Sequence, residues 1–159
     1  MTLPRAAAGS LLALACVNAW VNAHAAPSTL APVIGSALLC RSHLDNAYFH
    51  SWLTTAFGPA YKHEGGAYWF KTDATLWGKP VQEIMVSDDS NPLVFVAAVF
   101  ESKPEELEDA IRASAGLRHL PADASRFPLR ESNPGSVIAY HNDKSKIYCA
   151  RYKTLPPLR

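Results

Sequence analysis

The chain lacks an excess of charge of either sign. Its 159 residues include 15 Lys and Arg against 14 Asp and Glu, for a formal net charge of +1 at neutral pH. Proteins that bind nucleic acid need a surplus of basic side chains on one face, because contacts to phosphates supply most of their affinity. We therefore expect no nucleic-acid partner for this protein.

Long apolar runs are missing beyond the N-terminus. No stretch after residue 25 approaches the ~20 apolar residues that a membrane-spanning helix needs. The N-terminus itself has the parts of a secretory signal peptide: a basic Arg5, an apolar run over 6–21 and the cleavage site Ala23-His24-Ala25. We expect removal of residues 1–25 and a mature chain without a membrane span, located in the periplasm or outside the cell.

Cysteine is scarce, with Cys16, Cys40 and Cys149 in the whole chain. Cys16 would leave with the signal peptide, and an oxidising compartment then favours a Cys40–Cys149 disulfide. This bond would close a loop of roughly 100 residues, which is worth ~4–5 kcal/mol in the chain-entropy view. Two alternatives stay open: Cys40 and Cys149 as buried free thiols, or Cys16 as a lipidated N-terminus behind the loose lipobox Ala13-Leu14-Ala15.

Motifs for catalysis and cofactor binding are also absent. The chain has no Gly-x-Ser-x-Gly elbow and no phosphate-binding loop. Residues 63–67 begin like the zinc motif His-Glu-x-x-His, but Ala67 replaces the second ligand and two glycines oppose the required helix. Residues 88–91 lack the ligand spacing of a calcium loop and predict a turn. We expect no catalytic residue, no metal and no cofactor, so an enzyme is the less favoured interpretation.

The remaining pattern predicts one α+β domain. We expect a flexible lead-in over residues 26–36, the domain over 37–153 and a disordered tail over 154–159. Capping-box patterns that begin at Ser42 and Ser102 mark two helices. The two helices would pack on a largely antiparallel sheet, and their spacing predicts a tandem αβββ-αβββ arrangement.

The ends of the helices and the strands follow from breakers and periodicity. Gly58 and Gly116 are predicted to end the two helices. Alternating or continuous apolar residues predict strands over residues 67–71, 81–87, 93–100, 126–131, 136–140 and 146–152. The periodicity also predicts a buried core that contains Trp52, Leu53, Phe95, Val96, Val99, Leu107 and Ile111.

The segment over residues 52–86 carries a helix, then Phe57-Gly58-x-Ala60, then Tyr68-Trp69 and a second strand. In this arrangement it resembles the small α+β modules of the β-lactamase-inhibitor-protein type, which include outer-membrane assembly lipoproteins. Those modules pair helices with an antiparallel sheet and act by binding other proteins. The resemblance implies the same fold class and mode of action here, but it assigns a role to no residue.

Aromatic residues concentrate between positions 61 and 77, where five of them fall within 17 residues. Strand alternation places Tyr68 and Phe70 on one side and Trp69 on the other. Tyrosine and tryptophan are favoured at interfaces, so this segment is the predicted binding surface, although an ordinary two-sided core strand is the alternative. The candidate binding residues are Tyr61, His63, Glu64, Tyr68, Trp69 and Trp77.

These features predict an exported, non-enzymatic protein-binding protein. Its partner would be another envelope or secreted protein, and its role that of an inhibitor, an immunity-type protector or an envelope accessory factor. The alternative is a small-ligand carrier or a hydrolase with its site between the sheet and the first helix. In that case Tyr61, His63, Glu64 and Trp77 would line the mouth of the site.

Overall fold

The structure, a computed structural model, describes residues 26–153. The predicted signal peptide, Cys16 and the predicted tail lie outside this range. Within it there are three helices and nine strands. The helices are α1, which combines a π-helical part Ala31–Gly35 with an α-helical turn Ser36–Leu38, then α2 (Asn46–Phe57) and α3 (Pro104–Ala115). The strands are β1 (Lys62–Glu64), β2 (Ala67–Lys71), β3 (Thr75–Leu76), β4 (Lys79–Ser87), β5 (Leu93–Phe100), β6 (Leu120–Pro121), β7 (Arg130–Glu131), β8 (Val137–His141) and β9 (Lys144–Tyr152).

The strands form one sheet in the order β1-β2-β4-β5-β9-β8-β7-β6, and β3 pairs with β4 beside this path. Every pairing is antiparallel. Helix α2 packs on β2, β4 and β5, helix α3 packs on β8 and β9, and α1 lies against β5 and β9. The α+β class is therefore confirmed, whereas the tandem arrangement of the two halves stays a prediction.

Three hairpins turn on two-residue loops whose residues both have positive φ: Gly65-Gly66, Trp77-Gly78 and Asn142-Asp143. Such loops match the right-handed twist of the strands that they join. The first of them holds the His-Glu-Gly-Gly sequence, so His63 and Glu64 end a strand rather than lie on a helix. Gly66 has a φ of 72°, which favours glycine, and a Cβ atom there would also lie 2.9 Å from the side-chain amide nitrogen of Asn91.

The helix starts differ from the capping boxes predicted at Ser42 and Ser102. Asp45 caps α2 instead, since its carboxylate accepts a hydrogen bond of 2.9 Å from the backbone N–H of Tyr48. Helix α3 starts at Pro104, whose fixed φ suits a first helical turn, and it has no side-chain cap. Both capping-box predictions are wrong, because a suitable residue spacing does not establish where the backbone first turns helical.

The helix ends agree with the sequence. Gly58 follows α2, and Gly116 follows α3 in the left-handed conformation with a φ of 66°. Within the predicted core, the side chains that are fully buried are Leu53, Val96, Val99, Leu107 and Ile111, whereas Trp52 and Phe95 are partly buried.

The residues before position 37 contain a helix where a flexible lead-in is predicted. Leu30, Ile34 and Leu38 are buried in the core. Gly35 permits a close approach to the β3–β4 hairpin, because a Cβ atom there would lie 3.3 Å from Leu76 Cδ1. Pro32 suggested a loop but stands in the first turn of α1, where proline is tolerated. The ordered part of the chain therefore begins before residue 37.

Cys40 and Cys149 form a disulfide, as predicted, with their Cα atoms 5.4 Å apart. The bond joins residues 109 positions apart in sequence and ties the segment after α1 to strand β9. Both cysteines belong to the same buried cluster as the helices, so the bond lies on the helical side of the sheet.

Candidate functional site

The two faces of the sheet are separated by strand alternation. In β5, Val96, Ala98 and Phe100 belong to a large core cluster to which all three helices contribute. Ala97 and Val99, which alternate with them in β5, belong to a second, smaller cluster together with Met85. Trp69, Phe95 and Tyr148 pack against this cluster, and all of these residues lie on strands. We call the first side the helix-covered face and the second side, which carries the smaller cluster, the open face.

One row of the open face crosses five strands. Trp69 of β2 is paired with Met85 of β4, which is paired with Ala97 of β5, then with Tyr148 of β9 and Val137 of β8. Paired residues on adjacent strands have their side chains on the same face. The row is therefore apolar throughout, with the small Ala97 between two large side chains.

Trp69 is held by polar and cationic neighbours. Its indole Nε1 donates a hydrogen bond of 3.2 Å to the Glu64 carbonyl oxygen, and the Lys62 ammonium lies 4.7 Å from its ring centre. The Lys146 ammonium lies 5.9 Å from the same ring. Because β2 and β9 are three strand spacings apart, roughly 14 Å, the Trp69 and Lys146 side chains reach towards each other across β4 and β5.

Lys146 is a partly buried cation in this apolar environment. Within residues 26–153, no carboxylate lies within 4.0 Å of its ammonium group. Burial lowers the pKa of Lys146, while the negative charge of Glu83 opposes that shift. Its charge is therefore incompletely compensated by the rest of the described chain.

Tyr61 stands at one edge of this surface and is 46% exposed. Its hydroxyl donates a hydrogen bond of 2.6 Å to Glu83, and the Lys71 ammonium lies 4.9 Å from its ring centre. The hydrogen bond to Glu83 is the main cause that raises the pKa of Tyr61 to about 12. Tyr61 thus links the edge of the sheet to the carboxylate of Glu83, whose charge acts on Lys146.

A second group of polar side chains lies where α2 meets the edge of the sheet. The Tyr68 ring stands between two imidazoles, with centres 4.2 Å from His63 and 4.3 Å from His50. His63 Nε2 lies 2.6 Å from Asp88 Oδ2, and the Ser90 hydroxyl donates to Asp88 Oδ1. These hydrogen bonds, that from Ser90 first, lower the pKa of Asp88 to about 2.

This second group is not arranged for nucleophilic catalysis. In a serine–histidine–aspartate triad the imidazole stands between hydroxyl and carboxylate, so that it can accept the hydroxyl proton. Here Asp88 stands between Ser90 and His63, and the hydroxyl donates to the carboxylate itself. The bonds fix the β4–β5 loop and the β1–β2 hairpin to each other.

A buried serine–histidine pair also exists, between His119 and Ser136. His119 Nε2 lies 3.0 Å from the Ser136 hydroxyl, and both residues are at most 1% exposed. Burial is the main cause that lowers the pKa of His119 to about 4. A substrate has no access to a pair that is this deeply buried, so its role is structural.

The structure divides the six candidate residues between the two faces. Trp69 lies on the open face, and Glu64 is beside it in an ion pair of 2.7 Å with Lys62. Tyr61 contacts Glu83, as described above. Another two, His63 and Tyr68, lie beside α2. The sixth, Trp77, stacks on Phe100 with ring centres 5.8 Å apart, on the helix-covered side.

Sequence reasoning missed most of the open face, because its residues come from distant strands. Met85, Phe95, Lys146 and Tyr148 join Trp69 through the pairing of β4, β5 and β9. The alternation in residues 146–152 was a usable signal for a two-sided strand, but it did not reveal which strand lies next to it.

No group of three or more His, Cys, Asp or Glu side chains in residues 26–153 is placed to hold a metal ion. The helices of this range are also too short or too polar to cross a membrane. No family model matches the chain, and no curated protein or solved structure matches it significantly. The resemblance to the β-lactamase-inhibitor-protein type therefore stays a prediction.

Proposed function

We propose that this protein is an exported, non-enzymatic protein-binding protein and that it binds its partner through the open face. One observation carries the proposal. Three helices cover one face of the sheet, whereas no helix within residues 26–153 covers the aromatic row on the other. An apolar face of this kind on an exported domain is typical of an interaction surface.

The residue types on the open face support binding to a protein. Tryptophan, tyrosine and phenylalanine are enriched at protein interfaces, and Trp69, Tyr148 and Phe95 provide one of each above the buried Met85. They are fixed on paired strands, so little conformational freedom is lost when a partner binds. Tyr152, which follows Tyr148 on the same side of β9, is 83% exposed and extends the surface.

Export is supported by the covalent structure. The Cys40–Cys149 disulfide is of the kind that persists in the periplasm and outside the cell. Together with the predicted signal peptide, it favours a partner among envelope or secreted proteins. An inhibitor, an immunity-type protector and an envelope accessory factor all fit a domain that binds without reacting.

A photo-crosslinking amino acid at position 152 tests the proposal. The control position is Phe127, an aromatic residue that is 50% exposed and stacks on Tyr140 away from the open face. In the native compartment, we expect the probe at 152 to crosslink to one defined protein and the probe at 127 to give no such product. Equal products from both positions, or none from 152, would contradict the proposal.

The small-ligand alternative is favoured by two cavities beside α2. One of 210 Å³ lies between α2 and the sheet, and its lining includes His50, Tyr68 and Asp88. The other, of 660 Å³, lies at the C-terminal end of α2, and its lining includes Phe57 and Lys71. Ligand pockets usually enclose ~300–1,000 Å³, so the smaller cavity suits only a very small polar ligand. Substituting Tyr68→Ala and titrating with small polar metabolites would test this alternative by calorimetry, and a heat of binding that the variant loses would support it.

A further inference from the structure

Lys146, on the open face, has the surroundings of one member of an ion pair at a protein interface. Lys146 belongs to the row Glu83–Val99–Lys146–Ala139, which crosses four adjacent strands. Its alkyl chain is therefore flanked by apolar side chains, and its ammonium faces the Trp69 ring. A charge placed among apolar groups favours a partner that brings the opposite charge.

The neighbouring lysines differ from Lys146 in their partners. Lys62 forms an ion pair with Glu64 at 2.7 Å, and the Lys144 ammonium donates a hydrogen bond to the Gln82 side chain. Lys146 forms neither kind of contact within residues 26–153 and is partly buried, which lowers its pKa. A carboxylate from outside would offset that loss of hydration, because a paired buried charge costs less than an unpaired one.

The surrounding acidic residues restrict what that anion is. Glu64, Glu83 and Glu131 lie on the same face as Lys146, interspersed with Lys62 and Lys71, by strand alternation and register. This mixture of charges gives no continuous basic patch for an extended polyanion, such as nucleic acid or an anionic membrane surface, but it leaves room for a single carboxylate. The apolar row beside Lys146 fits apolar side chains adjacent to that carboxylate.

Building on the proposed function, we propose that the partner presents a segment in which an aspartate or glutamate is flanked by apolar side chains. Lys146 receives the carboxylate, while Trp69 and Tyr148 contact the flanking apolar groups. Lys146 is thereby the residue that selects the partner's charge, and the aromatic residues supply most of the contact area.

A library of random twelve-residue peptides displayed on phage provides a defined probe. The peptides are selected on the purified protein, and the affinity of the best binders is measured against three variants: Lys146→Met, Trp69→Ala and Lys103→Met. Lys103 is an exposed lysine at the start of α3, in the helical layer, and serves as the matched control. Thermal unfolding confirms that each variant is folded, and Lys146→Gln replaces Lys146→Met if the latter is not.

We expect selected peptides to share an acidic residue next to aromatic or aliphatic residues. Lys146→Met should weaken binding at least tenfold, and Lys103→Met should leave it unchanged. Replacing the acidic residue of the peptide with its amide should weaken binding to the unmodified protein by the same factor. It should not weaken binding to the Lys146→Met variant any further. Such coupling would assign the carboxylate to Lys146.

Other outcomes separate the two proposals. If Trp69→Ala abolishes binding while Lys146→Met does not, the carboxylate inference is overturned and binding through the open face survives. If the library yields no binder that Trp69→Ala weakens, both are overturned. If sedimentation velocity shows a dimer that Lys146→Met dissociates, the inference of a separate acidic partner is overturned. The occupant of the open face would then be a second copy of this chain.

Discussion

The two faces of the sheet are built from the same strands but differ in chemistry. The helix-covered face presents buried side chains such as Ile84, Val96, Ile147 and Phe100, all at most 1% exposed. The open face presents Trp69 and Tyr148, which pack on its small cluster and remain partly exposed. The difference indicates a division of roles, because buried apolar packing stabilises a fold whereas partly exposed aromatic residues favour binding.

The disulfide should have the largest effect on stability, because it anchors the helix-covered side across a long loop. Cys40→Ser should lower the free energy of unfolding by about 2–5 kcal/mol. Urea unfolding of the oxidised protein, the variant and the reduced protein measures this change. The reduced protein should match the variant, and a variant as stable as the oxidised protein would contradict the role given to this bond.

A matched pair of alanine substitutions compares the two faces directly. Ile111→Ala, in α3 on the helix-covered side, should cost about 2–5 kcal/mol because it leaves a cavity in the core. Tyr152→Ala, on the open side and 83% exposed, should change stability by less than ~0.5 kcal/mol. Denaturant unfolding measures both, and equal losses would mean that the open face is also part of the stabilising core.

Acid should destabilise the fold through His119, a buried residue between α3 and β6. Its pKa is about 4 in the folded protein against an ordinary 6.5, so the unfolded chain binds the proton more tightly. The stabilising contribution is complete above pH 6.5 and is lost as the pH falls towards 4, by up to about 3 kcal/mol.

Urea unfolding between pH 7 and 4 checks this contribution. His119→Gln should have a flatter pH dependence over that window, because it removes the buried titrating group. The pKa of Asp88 is about 2 in the folded protein against an ordinary 3.8. The stability that Asp88 contributes is therefore lost only below the pH range of this experiment. A variant with the same pH dependence as the unmodified protein would assign the acid sensitivity to other groups.

The smallest effect is expected at Tyr61, on the edge of the open face. Tyr61→Phe removes an exposed hydrogen bond to Glu83 and should change stability by less than ~1 kcal/mol. Because the pKa of Tyr61 is raised from 10.0 to about 12, this bond contributes below pH 10 and is lost as the pH rises through 12. An alkaline absorbance titration should lose its latest tyrosine step in the variant, and an unchanged titration would contradict the assignment.

Features set by local chemistry were predictable from the sequence. The apolar run at Leu93–Phe100 forms β5 with the predicted bounds, and Gly116 ends α3 as predicted. Local patterns failed where contacts in the folded chain decide the outcome. The helix at Ala31–Gly35 is short and contains proline, and it is stabilised by burial of Leu30 and Ile34 rather than by its own propensity.

The candidate site shows the same limit. Trp69 is a predicted binding residue and lies on the open face, but Trp77, from the same aromatic segment, stacks on Phe100 on the opposite side. Local sequence predicts a two-sided strand at Trp69 and places Trp77 in a turn between two predicted strands. It does not indicate that this turn, in which Trp77 has a φ of 53°, lies beside the core.

By itself, the sequence determined the α+β class, the disulfide pairing and the alternation that gives each strand two faces, because these depend on residue types and short-range periodicity. Tertiary structure alone decided which face the helices cover and which distant strands bring Lys146 and Tyr148 beside Trp69. Strand pairing is a contact between residues far apart in sequence, and its energy depends on packing against neighbours that no local pattern specifies.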